Sequence, residues 1–139
     1  MIKNSEEYIQ IYLVSFLKKL QAMPPHDFLV WSTPNGGSRN KAEAGKLKLM
    51  GLLAGVPDLC IMAKNHFLFI ELKKNNGRLS PEQKSFIEKA DSLGFKTETI
   101  FADNVEDALY QLCNILHDAF GFDQKGMSKI SSSVLASMS

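Results

Sequence analysis

The chain has 139 residues, 45% of them apolar and 22% charged, which suits one soluble domain with its own core. A net charge of +1 excludes a bulk electrostatic footprint, so a polyanionic partner must be held by a local basic patch. Cys60 and Cys113 lie far apart in apolar stretches, with no CxxC pairing and no histidine at ligand spacing, which excludes a disulfide scaffold and a zinc site. The acidic start and the lack of an apolar run of membrane-spanning length predict a cytoplasmic protein with no membrane partner.

From Ser5 onward, Ile9, Leu13, Phe16, Leu17 and Leu20 recur at steps of three and four, predicting an amphipathic helix that Pro24 and Pro25 terminate. Glu6 and Gln10 fall toward its apolar face. Phe28 to Thr33 is β-rich and predicts a strand, followed by a loop from Pro34 to Ser38 whose glycines allow close approach to a ligand. Asn40 to Leu53 suits a helix with Lys41 and Lys48 on one side, closed by Gly55 and Pro57. Asp58 to Ala63 and Phe67 to Lys73 then read as a hairpin around Lys64, Asn65 and His66. Ser80 as N-cap and Pro81 at the first helical position open a helix that runs to Leu93, where Gly94 stops it. Lys96 to Phe101 is a further strand, and Asp103 to Phe120 a helix with Val105, Leu109, Leu112 and Leu116 as its stripe. Beyond Gly121 the composition turns to Ser, Lys, Gly and Met without clear periodicity. Residues 121–139 are therefore expected to be a loose or partner-dependent polar tail after a domain of residues 1–120. The order α-β-α-β-β-α-β-α predicts an α/β domain with a mixed sheet covered by helices.

Alternation along the strand ending at Lys73 puts Glu71 and Lys73 on one face, about 7 Å apart, with Leu72 pointing into the opposite layer. Phe67 and Phe69 share the face of Glu71, so a charged pair ends an apolar strand. If Asn65 and His66 form the hairpin loop, Asp58 sits opposite Lys73 and its carboxylate joins that face; a slip of one residue would send it to the other side. Two carboxylates and a lysine make a hard, oxygen-rich site suited to Mg2+ or Mn2+ and a substrate phosphate. In that chemistry Asp58 and Glu71 hold the ion, and Lys73 orients the attacking water and offsets charge on phosphorus.

Gly55-Val56-Pro57-Asp58 followed by Glu71-Leu72-Lys73 resembles the PD-(D/E)XK nuclease superfamily. Pro34-Asn35-Gly36-Gly37, Arg39, the stretch from Gly51 to Asp58, and Gly77-Arg78-Leu79-Ser80-Pro81-Glu82-Gln83 together resemble its VRR-NUC family of replication and repair nucleases, over roughly Ser5 to Leu109. The resemblance implies a restriction-endonuclease-like three-layer fold with a mixed central sheet flanked by helices. It also implies a magnesium-dependent endonuclease with a helix-borne acid at Glu6, metal ligands Asp58 and Glu71, catalytic Lys73 and a supporting Gln83. The backbone carbonyl of Leu72 is a further metal ligand in that pattern. Glu7 competes with Glu6, which the helical stripe favours.

Each of these residues has a plainer alternative. Glu71 and Lys73 could be a solvated strand face, Glu6 could complement the helix dipole, and Gln83 could be a local cap. Arg39, Lys41, Lys46 and Lys48 could be a solvated helix face, but beside a Gly-rich loop they are expected to grip phosphates, with Arg78 as a second contact. Trp31, Phe67 and Phe69 are expected in the core. The expected activity is structure-specific cutting of branched DNA, with a four-way (Holliday) junction leading and a homodimer matching its two-fold symmetry. A flap or nicking nuclease, or a DNA-binding module without catalysis, is the alternative.

Overall fold

The Ser5 hydroxyl accepts the Tyr8 amide at 3.1 Å and starts α1 (Glu6–Gln21), whose buried Ile9, Leu13, Phe16, Leu17 and Leu20 are the predicted stripe. The computed structural model describes residues 1–34 and 40–138. After α1 come β1 (Phe28–Ser32), α2 (Lys41–Leu49), β2 (Leu59–Ala63), β3 (His66–Lys73), α3 (Pro81–Ser92), β4 (Lys96–Phe101), α4 (Val105–Phe120) and α5 (Gln124–Ala136). The strands form one sheet in the order β1-β2-β3-β4, antiparallel except for the parallel pair β3 and β4. It is the expected mixed sheet flanked by helices.

Strand alternation divides the sheet into two unlike faces. Leu59 and Ile61 of β2, Leu68, Ile70 and Leu72 of β3 and Ile100 of β4 are all buried in one core with α1, α4 and α5. Phe69 and Glu71 point the other way, toward Phe86 and Gln83 of α3. That second face is only partly covered. Trp31, expected in the core, is 41% exposed, and Phe67 and Phe69 line an open cavity of about 870 Å³ with Leu52, Leu53, Phe86 and Phe95.

Most of the expected loose tail is a helix instead. Asp123 caps α5 by accepting the Gly126 amide at 2.9 Å, and Met127, Ile130 and Val134 are buried with α1 and α4. Three apolar residues at steps of three and four suffice to seat a helix once a core is present to receive them. α2 is shorter than predicted: it ends at Leu49, Gly51 turns the chain at φ 105°, and no residue of the helix is buried. No described helix is long and apolar enough to cross a membrane.

Candidate active site

β2 and β3 pair with Ala63 opposite His66 and Leu59 opposite Ile70, so the turn is Lys64-Asn65, with Asn65 at φ 61°, rather than Asn65-His66. Continued by one step, this register sets Asp58 opposite Glu71 instead of Lys73. The shift is two residues, and because side chains alternate with a period of two, Asp58 keeps the face expected of it. Its backbone carbonyl is held by the Thr33 amide at 2.9 Å, and its Oδ2 accepts the Leu72 amide at 2.8 Å. At the end of β3 the Lys73 carbonyl accepts from Ala102 on the β4 side. Carbonyls alternate along a strand, so that of Leu72 faces the opposite side, where Asp58 stands.

Glu71 is 2% exposed and is the one buried charged residue among those described. Its carboxyl is pushed up to about 9, first by burial, then by the hydrogen bond and charge of Asp58; Glu6 adds to the effect and Lys73 opposes it. Glu71 Oε1 lies 3.4 Å from the Gln83 side-chain nitrogen, whereas Oε2 is buried without a hydrogen-bond partner. A buried carboxylate oxygen without a partner is costly unless a cation or proton compensates it. No three His, Cys, Asp or Glu side chains among the described residues form a ready cage. Mg2+ does not require one, since it takes one or two carboxylates and completes its shell with water and phosphate. Asp58, Glu71 and the Leu72 carbonyl are the groups that could hold such an ion.

Gln83 caps its helix and also touches the buried acid. Its amide donates to Ser80 Oγ at 3.1 Å and its Oε1 accepts the Ser80 amide at 2.8 Å, closing a capping box, while its Nε2 reaches Glu71. The loop before Asp58 packs against the same turn of α3. Gly55 adopts φ 87°, and a Cβ there would lie 2.2 Å from the Glu82 carbonyl oxygen, so only glycine fits. Glu6, in the first turn of α1, accepts the Lys74 amide at 3.4 Å and contributes to the field at Glu71, whereas Glu7 is exposed. Asp58, Glu71, Lys73, Gln83 and Glu6 are thus gathered around the exit of β3.

The basic residues are surface side chains, and Lys48 lines the open cavity beside Phe69 and Glu82. Lys41, Lys46 and Lys48 are exposed on α2, and Arg78 is exposed on the turn before α3. Arg39 lies outside the described residues. Sequence spacing gave no sign of a polar cluster just past β3, where Lys74 meets Asn4 and Asp103, because these residues are joined only by the tertiary fold.

The sequence model of the VRR-NUC domain matches residues 6–103, a span that contains all five gathered residues. A solved structure titled "VRR_NUC domain protein" superposes with a TM-score of 0.61 at 22% identity, covering 87% of this chain and 92% of the other. A second, titled "VRR_NUC domain", gives a TM-score of 0.53 at 16% identity, covering 86% of this chain and 99% of the other. No curated protein matches the chain. The structural likenesses show the fold, and the match over most of the sequence shows that the chain belongs to the VRR-NUC family of nuclease domains.

Proposed function

We propose that this protein is a metal-dependent, structure-specific DNA endonuclease that acts as a homodimer on four-way junctions. The observation that carries the reading is the convergence of Asp58 and Glu71 at the exit of β3, with Glu71 Oε2 buried and lacking a partner. A bound Mg2+ or Mn2+ would polarise the scissile phosphate and acidify a water. Asp58, Glu71 and the Leu72 carbonyl would hold it, and Gln83 touches the Glu71 carboxylate. Lys73, on the face of Glu71, orients the attacking water and offsets charge on the pentacovalent phosphorus. Water is the nucleophile, so no covalent bond to the protein forms.

Lys41, Lys46 and Lys48, with Arg39 and Arg78, grip phosphates. Such contacts position a backbone without reading bases, which favours recognition of DNA shape over sequence. Leu29, Trp31, Met62, Phe67 and Phe95 support the dimer. They form an uncharged, part-exposed apolar row across the second face of the sheet, with Leu29 paired to Met62, Met62 to Phe67, and Phe67 in ring contact with Trp31 and Phe95. Large apolar patches mark interfaces, and a two-fold axis would bury this row against a second copy.

The test is incubation with Mg2+ and linear, flapped and four-way DNA. Symmetric nicks across the junction by a sedimenting dimer are expected. Cutting of flaps alone would transfer the activity to a flap nuclease, and DNA binding without metal-dependent cutting of any substrate would refute catalysis.

A further inference from the structure

Segments at residues 4–6, 73–75 and 102–103 meet at Lys74. Its backbone amide donates to Glu6 Oε2 at 3.4 Å, and its ammonium donates to the carbonyl of Asn4 and to that of Asp103 at 3.3 Å. The Asp103 carboxylate lies 3.7 Å from the same ammonium. It also accepts the Asn75 amide at 3.0 Å and the Asn75 side chain at 3.1 Å. Asn4, at φ 62°, turns the chain immediately before the α1 cap, and the Ala102 amide binds the Lys73 carbonyl at 2.9 Å. The start of α1, the exit of β3 and the turn into α4 are therefore pinned at one point.

Stability alone does not explain this convergence. Lys74 and Asp103 side chains are 31% and 54% exposed, and exposed ion pairs contribute little to stability. What the cluster sets is position. Glu6 belongs to a helix packed on the α4 and α5 side of the sheet, while Glu71 points to the side of α3. Glu6 can approach Glu71 only around the end of β3, and Lys74 ties the approach of α1 to that end from both its backbone and its ammonium.

We infer that Lys74 and Asp103 are positioning residues that hold Glu6 at the exit of β3 and so complete the acid set around Lys73. The inference rests on the nuclease reading above.

Its test uses Lys74→Met, the conservative Lys74→Arg, Glu6→Gln and the Lys74→Met/Glu6→Gln pair in the full chain. A misplaced catalytic group can cost about a hundredfold in rate. Lys74→Met is expected to lower kcat tenfold to a hundredfold with KM for DNA unchanged, and Lys74→Arg to restore most of it. Adding Lys74→Met to Glu6→Gln should cost nothing more, because the lysine acts through Glu6. Amide hydrogen exchange at Tyr8 and Ile9 should accelerate in Lys74→Met without substrate or metal. A raised KM alone, losses that multiply in the pair, or unchanged exchange at Tyr8 would each overturn the inference. Faster exchange in a protein that never cuts DNA would overturn the nuclease reading while leaving the latch itself standing.

Discussion

The Gln83 side chain spans from the Ser80 amide, 2.8 Å from its Oε1, to Glu71 Oε1, 3.4 Å from its Nε2, so one residue both caps α3 and orients a buried acid. Gln83→Ala should lower stability through the lost capping box and lower cleavage as well. Gln83→Glu can still close the capping box but sets another carboxyl against Glu71. Thermal melts should show its stability restored, and single-turnover cleavage should remain low. Recovery of both would reduce Gln83 to a cap.

Gly55→Ala should disturb the site without touching any charged group. A left-handed backbone on a non-glycine residue costs roughly 1–3 kcal/mol, and here the added Cβ also meets the first turn of α3 at 2.2 Å. Relief requires Val56 to Asp58 to move away from α3, so a lower melting temperature should accompany loss of cleavage. A variant with parental stability would show that the loop can yield.

Stability of the metal-free protein should depend on pH through Glu71. Its folded carboxyl, at about 9, lies above the ordinary 4.5, so between these values the folded chain keeps a proton that the unfolded chain has lost. That contribution is complete below pH 4.5 and fades as pH rises through about 9. Glu71→Gln cannot titrate there. In the presence of a chelator its melting temperature should fall less than that of the parent between about pH 6 and 10. Parallel curves would mean that Glu71 is already ionised in the folded protein.

α5 should behave as core. Met127 is fully buried, and Met127→Ala should cost about 2–5 kcal/mol in chemical denaturation. A loss within a few tenths would return residues 121–139 to the status of an appendage.

How much of this the sequence disclosed depends on the range of the forces involved. Alternation over Phe69 to Lys73 and the Ser80-Pro81 helix start are local, and both are found in β3 and α3 as read. The hairpin register differs by two residues from the one the sequence predicts: the turn is Lys64-Asn65, with Asn65 in the left-handed conformation. The face of Asp58 survived because period two is indifferent to an even slip. α5 is not legible locally because Met127, Ile130 and Val134 are diluted by serines and are buried only in the core with α1 and α4. The half-exposed Trp31 row reflects a sheet face that α3 covers incompletely, which no strand pattern reports. The cluster at Lys74 is likewise a product of packing, joining Asn4 to Asp103.

Metal-dependent cutting compared with DNA binding, measured side by side for the parent, Asp58→Ala and Lys73→Ala, reaches the central claim most directly. Asp58 and Lys73 stand at the exit of β3, whereas Lys41, Lys46 and Lys48 are carried on α2. The parent should cut branched DNA only with Mg2+ or Mn2+, and both variants should lose cutting while binding DNA as the parent does. Retained cleavage in either variant, or cleavage by the parent in excess chelator, would contradict the assignment.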